Sequence, residues 1–159
     1  MDSMISGAMK SYTNEHTVQG ESEYRKGEFN YAIVCYTEGI SVNCNDKNLN
    51  AELFTNRAKA HFNLGNYHEA KADSEVARQF QPGYMKAIET GARTCAKLNL
   101  FEEAITWCDQ GLAADQDNRN LLELRTMCLK TEDTCSGSIE NDSESGTVEE
   151  QLVRNFIKI

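Results

Sequence analysis

Helix breakers and long apolar runs are scarce in this 159-residue sequence, which has 1 proline and 10 glycines. A β-sandwich or β-barrel needs many tight turns, so this composition disfavours both and favours long uninterrupted helices. No run of about 18 apolar residues occurs, so the sequence predicts no membrane-spanning helix. The N-terminal residues lack the basic flank and apolar core of a secretory signal, so we expect none.

Positive charge is also in the minority, with 16 Lys and Arg residues against 25 Asp and Glu residues and a net charge of −9. This excess of anions disfavours binding to nucleic acid or to an anionic membrane surface. The 6 cysteines form no Cys-x-x-Cys pair, so we expect small buried side chains rather than zinc ligands or a redox motif. Free thiols indicate a reduced compartment, which for this chain means the cytoplasm or the nucleus.

No group of residues has an arrangement typical of catalysis. The sequence has no glycine-rich phosphate loop and no nucleophile elbow. Glu102 and Glu103 are adjacent, so on one helix their side chains would point about 100° apart. The 3 histidines stand at metal-ligand spacing from none of the cysteines, and we expect surface or packing roles for them. We therefore predict a protein that is not an enzyme and that needs no cofactor or metal.

Three segments of the chain share one pattern of small and aromatic residues, which is the signature of a repeat protein. An alanine recurs early in the second helix of each segment, at Ala32, Ala70 and Ala104. Ala70 and Ala104 are 34 residues apart and Ala32 and Ala70 are 38 apart, so the first junction has about four extra residues, within 43–50. An aromatic residue three positions before each alanine is expected to fill the wedge at the turn.

The repeat predicts an all-α solenoid of three helix-turn-helix repeats plus a capping helix. Small residues in the first helix of each repeat let the two backbones approach closely. A single pair of helices cannot bury its apolar face, so the pairs stack into a superhelix whose concave surface is lined mainly by the first helices. The predicted helices are 13–26, 30–43, 51–64, 67–81, 85–98, 101–114 and 118–131. Asp117 or Asn118 can cap the last of them.

Composition divides the chain into four predicted segments. We expect a flexible N-terminus at 1–12, the repeat domain with its capping helix at 13–131, an acidic linker at 132–146 and a short amphipathic helix at 147–159. The linker is rich in Ser, Gly and acidic residues and cannot bury enough apolar surface to fold by itself. The terminal helix is too short to be stable alone, so we expect it to dock either on the capping helix or in the groove.

The pattern over 13–131 resembles the tetratricopeptide repeat family. Four stretches are similar to one branch of it, the tetratricopeptide repeat protein 4 family of co-chaperones of heat-shock proteins 90 and 70. These stretches are YTEGI at 36–40, LFTNRA at 53–58, GYMKAI at 83–88 and AITWCDQGL at 104–112. The resemblance implies a helical solenoid whose concave groove holds the acidic C-terminal tail of heat-shock protein 90 or 70.

In that family, the resemblance implies, two Lys, two Asn and one Arg form a clamp on the two carboxylates of a terminal aspartate. Asn56 and Lys86 stand at two of the five clamp positions. Thr17, Glu21 and Thr90 replace the other Lys, the other Asn and the Arg. Glu21 is the most adverse of these changes, because a carboxylate in the groove repels the carboxylate of the ligand.

Positive charges still dominate the helix faces that should line the groove. We expect the clamp to be weakened or displaced and to be centred on Lys59, Lys86 and Arg93. The predicted peptide-binding residues are Asn56, Lys86, Lys59, Arg93 and Arg25.

Two functions remain open from the sequence. The chain is either a co-chaperone adaptor for acidic chaperone tails, or a repeat scaffold with a degenerate clamp that binds another protein or itself. Individual residues have the same ambiguity. Asn56 could contact a peptide or hydrogen-bond a neighbouring repeat, and Lys86 could bind a ligand or be solvated. We expect Arg57 to pair with an acid on the next helix, and Trp107 to pack in the solenoid core.

Overall fold

The computed structural model of the protein describes residues 2–137, and it describes side chains for residues 4–133. Within 2–137 the secondary structure is entirely helical. Consecutive helices pack against each other, and α1, α3, α5 and α7 also contact one another in that order. This is the predicted solenoid of three helix pairs and a capping helix. The helices are α1 (Asp2–Arg25), α2 (Phe29–Ser41), α3 (Lys47–Asn63), α4 (Tyr67–Phe80), α5 (Met85–Lys97), α6 (Phe101–Ala114) and α7 (Arg119–Gly137).

The first helix is longer than the sequence pattern predicts. Helix α1 begins at Asp2, so residues 2–12, which we expected to form a flexible N-terminus, are helical and the predicted start at residue 13 is wrong. An ion pair holds this extension against the start of α3, with Lys10 Nζ 2.8 Å from Asp46 Oδ2. The repeat pattern misses the extension because its outward side chains have no neighbouring repeat to pack against.

The third helix also begins earlier than predicted, at Lys47 rather than at residue 51. Asp46 is its N-cap, because Asp46 Oδ1 accepts a hydrogen bond from the Leu49 backbone N–H at 3.0 Å. Asn50 Nδ2 donates to the backbone carbonyl of Cys44 at 2.8 Å. The extra residues at the first repeat junction therefore form a capped turn and the first turn of α3.

The capping helix starts as predicted and runs further. Asn118 Oδ1 accepts a hydrogen bond from the Leu121 backbone N–H at 3.2 Å, so Asn118 is the residue that caps α7. The helix continues through residues 132–137, which we expected to belong to the acidic linker. The rest of that linker and the predicted helix at 147–159 lie outside the described residues.

Close approach of the two helices in a repeat is visible at two glycines. A Cβ atom on Gly91 would lie 2.7 Å from the Trp107 ring, and one on Gly20 would collide with the Tyr36 ring. Trp107 is 3% exposed and Tyr36 is 1% exposed, so both rings lie flat against the backbone of the first helix. The prediction that Trp107 is a core residue is confirmed.

A left-handed residue ends the first helix of each repeat. Gly27 and Gly65 have φ values of 83° and 81°, and Asn99 takes the same place in the third repeat with a φ of 62°. Gly and Asn are the residues that adopt this conformation most readily. The three turns are therefore alike even though only two of them contain glycine.

Burial explains the cysteines that the structure describes. Cys35, Cys44, Cys95, Cys108 and Cys128 are buried free thiols, as predicted, and the side chain of Cys135 lies outside the described residues. Burial raises the pKa of Cys95 to about 11 and that of Cys108 to about 12. At neutral pH these side chains are protonated thiols that fill space between helices.

The contact between Gly91 and Trp107 gives a prediction about stability. Gly91→Val should lower the free energy of unfolding by about 2–3 kcal/mol, because the new side chain has to displace a buried ring. Urea unfolding followed by circular dichroism measures the change. Gly7→Ala is the matched control, since no atom lies within 4 Å of the added methyl group, and it should not destabilise the chain. Equal stability of the two variants would contradict the packing described above.

Candidate functional site

The concave surface is formed by α1, α3 and α5, the first helices of the three repeats. Because equivalent positions are 38 and then 34 residues apart, Glu21, Lys59 and Arg93 occupy the same place in these three helices. Glu52 and Lys86 are equivalent in α3 and α5 in the same way. Residues three or four positions apart share a helix face, so these five side chains point into one groove.

Three of the predicted peptide-binding cations lie together in this groove. Burial lowers the pKa of the half-buried Lys59, and repulsion from Lys86 and Arg93 lowers it further. Glu89 and Glu21 act in the opposite direction and favour the charged amine. The ammonium group of Lys59 is therefore the centre of a cluster of three cations from α3 and α5.

Arg25, the fifth predicted residue, is not part of this cluster. It is exposed at the last residue of α1, and it is not among the charges that act on Lys59. The sequence argument counted it as inward-facing from helical periodicity alone. That periodicity loses its meaning in the last turn of a helix, where the next residues leave the helix axis.

Arg93 lies at the edge of a cavity of about 550 Å³ between the end of α3, α5 and α7. Its guanidinium group is 4.6 Å from the centre of the Phe62 ring, a cation–π contact. The walls combine this cation with the apolar side chains of Phe62, Leu124 and Met127. Sequence reasoning missed the apolar part of the cavity, because it comes from the capping helix and from the far end of α3.

Asn118 links the capping helix to the groove. Its Nδ2 donates to Glu89 Oε1 at 2.8 Å, while its Oδ1 caps α7. The carboxylate of Glu89 is thereby held toward α7. One of the three acids that we counted on the groove side thus has a structural partner in the capping helix.

Asn56 and Arg57 are neighbours in sequence with different environments. Arg57 forms a bidentate pair with the buried Asp73 of α4, with Nε 2.8 Å from Oδ2 and Nη2 2.7 Å from Oδ1, as we expected. Asn56 Nδ2 is buried and has no hydrogen-bond partner in the protein. Asn56 therefore does not use that amide to join two repeats, which was one of its two predicted roles. A buried amide donor without a partner is rare in folded proteins.

Two of the three departures from the clamp pattern are short, internally bonded side chains. Thr17 and Thr90 are 5% and 6% exposed. Thr17 Oγ1 donates to the Thr13 carbonyl at 2.8 Å, and Thr90 Oγ1 donates to the Lys86 carbonyl at 2.7 Å. Neither hydroxyl adds charge to the groove, and each already has an acceptor in its own helix.

The third departure, Glu21, makes one side of the groove acidic. Burial raises the pKa of the Glu52 carboxyl, and the Glu21 carboxylate raises it further, while Lys86 opposes both effects. Burial also raises the pKa of Tyr84, and the same two acids add to that shift. Glu21, Glu52 and Tyr84 therefore form an acidic patch beside the three cations.

Two other kinds of site were searched for in the described part of the chain. Among these residues no group of three or more His, Cys, Asp or Glu side chains is placed to hold a metal ion. None of the helices within 2–137 combines the length and the apolar character that crossing a membrane requires.

Comparison with known proteins places this groove in context. No protein-family model matches the chain. Tetratricopeptide repeat protein 4 from Homo sapiens is 40% identical over 121 residues, which are 76% of this chain and 30% of that relative. This chain therefore spans less than a third of the length of that protein. The matching part is the repeat region, which contains the groove.

Two solved structures show the same fold. The Hsp90 co-chaperone Cns1 from Saccharomyces cerevisiae has a TM-score of 0.78 at 24% identity and covers 89% of this chain and 46% of its own. The second TPR domain of the human RPAP3 protein, in complex with the HSP70 peptide SGPTIEEVD, has a TM-score of 0.70 at 25% identity. That match covers 76% of this chain and 97% of the domain.

The crowding of cations around Lys59 gives a prediction about stability and pH. Its pKa in the folded chain is below the value of 10.5 for the free side chain, so protonated Lys59 costs stability at neutral pH. That cost disappears as the pH rises through the lowered pKa toward 10.5. Lys59→Met should therefore raise the free energy of unfolding at pH 7 by about 0.5 kcal/mol, a value reduced by solvent screening.

Urea unfolding at pH 7 and above pH 10.5 tests this prediction. The advantage of Lys59→Met over the parent chain should shrink at the higher pH. Lys26→Met is the control, because Lys26 pairs with Glu23 at 3.0 Å on the surface and its loss should slightly lower stability. A destabilised Lys59→Met variant at pH 7 would contradict the repulsion among the three cations.

Proposed function

Because this chain is a tetratricopeptide repeat protein whose repeat region is similar to that of Tetratricopeptide repeat protein 4, we propose that it is a co-chaperone adaptor. Its concave groove binds the acidic C-terminal tail of heat-shock protein 90 or 70. The observation that carries the proposal is the cluster of Lys59, Lys86 and Arg93 on the inner surface of a chain whose net charge is −9. Cations collected on one concave face of an acidic protein favour an acidic peptide.

The spacing of the cations suits such a peptide. Lys86 and Arg93 are seven residues apart on α5, which separates them by about 10 Å along the helix axis. An extended peptide covers that distance in about three residues. The HSP70 peptide bound by the RPAP3 domain has two glutamates and an aspartate within its last four residues. In this groove a run of that kind pairs different carboxylates with different cations at the same time.

Asn56 supports the same proposal from an independent direction. Its buried Nδ2 has no partner in the protein, so a ligand oxygen can accept the hydrogen bond without displacing one. An amide donor next to Lys59 adds geometric selectivity to the attraction of the cations. The adaptor has no catalytic role in this proposal, and it acts in the cytoplasm or the nucleus.

The alternative is a repeat scaffold that binds another protein partner or itself. It is favoured by the three departures at Thr17, Glu21 and Thr90, which remove two of the expected cations and add one anion. The two proposals differ in what the groove recognises. An adaptor for chaperone tails requires affinity for a short acidic peptide, whereas the alternative does not.

Substitution of Lys86 tests the adaptor directly. Lys86→Ala should weaken binding of the peptide SGPTIEEVD by about 1.5–3 kcal/mol, the scale of a hydrogen bond to a charged group. Isothermal titration calorimetry measures the affinity, which should also fall as salt is added. Lys26→Ala is the matched control, since it removes the same charge outside the groove. Equal affinities of the two variants would place the binding site elsewhere.

Asn56 and Arg57 give a paired prediction. Asn56→Ala removes no hydrogen bond of the Nδ2 atom from the free protein, so stability should stay nearly constant while peptide affinity falls by about 1 kcal/mol. Arg57→Met leaves the buried Asp73 carboxylate without its partner and should destabilise the fold by about 3 kcal/mol or more. Calorimetric titration and urea unfolding of both variants separate the roles. A strongly destabilised Asn56→Ala variant would make Asn56 a structural residue.

A further inference from the structure

Charge is distributed unevenly across the width of the groove. Its α1 side has Glu21, and the adjoining first half of α3 has Glu52. Its α5 side has Lys86 and Arg93, with Lys59 of α3 in the middle. The equivalent positions Glu21, Lys59 and Arg93 thus run from acid to base across the three helices. The groove is a dipole and not a uniform basic trough.

The acidic side has the composition of a site for a cation. The carboxylates of Glu21 and Glu52 repel each other, and the half-buried phenol of Tyr84 lies in the field of both. Within residues 4–133, no Lys or Arg ion pair with either carboxylate is formed. Asn56, one helical turn after Glu52, brings its unpartnered amide to the boundary between the acidic and basic sides.

We propose that Glu21 and Glu52 are specificity-determining residues that select acidic peptides with a Lys or Arg side chain facing α1. The inference rests on the proposed function of the groove as an acidic-peptide site. Acidic side chains of the ligand pair with Lys59, Lys86 and Arg93, and its basic side chain pairs with Glu21 and Glu52. A free C-terminal carboxylate on the α1 side meets two carboxylates and contributes nothing to affinity.

The reason is electrostatic complementarity of the two halves. A cation placed between Glu21 and Glu52 relieves their mutual repulsion, whereas an anion adds a third like charge in a half-buried place. The cost of that third charge falls only on ligands whose terminus lies on the α1 side. Ligands that continue beyond the groove, or that end in a neutral or basic residue, do not encounter it.

Four synthetic peptides test the inference by calorimetric titration against the full chain. They are SGPTIEEVD with a free C-terminus, its C-terminal amide, SGPTIEEVK as the amide, and the neutralised SGPTIQQVN as the amide. The Lys-ending amide should bind about fivefold more tightly than the free-acid peptide, which corresponds to a partly screened ion pair. The amide of SGPTIEEVD should bind at least as tightly as the free acid.

Substitutions assign the preference to the acidic side. Glu21→Gln and Glu52→Gln should each bring the affinity ratio of the Lys-ending amide to the free acid toward one. Glu15→Gln is the control, because Glu15 is exposed and lies about 120° around α1 from Glu21. It should leave the ratio unchanged. The ratio compares two ligands on one protein, so a partly unfolded variant does not alter it.

The outcomes separate this inference from the proposed function. If neither acidic peptide binds more tightly than SGPTIQQVN, the groove is not an acidic-peptide site and both proposals fail. If the acidic peptides bind but the free acid exceeds its amide tenfold, the proposed function stands and the selection by Glu21 and Glu52 is overturned. A preference for the Lys-ending peptide that Glu21→Gln and Glu52→Gln leave intact overturns it as well.

Discussion

The groove depends on how closely two helices can approach within one repeat. Gly20 and Gly91 have no side chain, so the rings of Tyr36 and Trp107 lie directly on the backbone of the first helix. This close packing lets the first helices of successive repeats stand side by side on one surface. Side chains that are 38 and 34 residues apart in the chain then meet in a row, as Glu21, Lys59 and Arg93 do.

The same helix divides its polar side chains between holding the fold and facing a ligand. Arg57 points toward α4, where the buried Asp73 takes up two of its N–H groups. Asn56 and Lys59 point to the other side, where the amide lacks a protein partner and the amine is crowded by two further cations. Unmet polar groups lower stability, so their concentration on one face indicates that this face is adapted to a ligand.

Periodicity was sufficient to predict the seven helices and the residues of the cation cluster, because each repeat places its side chains by the same rule. It failed where no such rule applies. The extension of α1 has few apolar neighbours, and an ion pair between Lys10 and Asp46 ties it down. Arg25 lies in a final helical turn, and the unpartnered amide of Asn56 depends on tertiary contacts that no local pattern contains.

Glu21 has two opposite effects, and together they explain how an acidic protein keeps three cations in one groove. In the free chain its carboxylate favours the charged form of Lys59, which offsets part of the repulsion from Lys86 and Arg93. Toward a ligand it makes the α1 side repel anions while the α5 side attracts them. A uniformly basic groove would bind an acidic peptide in either direction. A groove with acid on one wall and base on the other gives the two directions different energies, so the charges determine orientation as well as attraction.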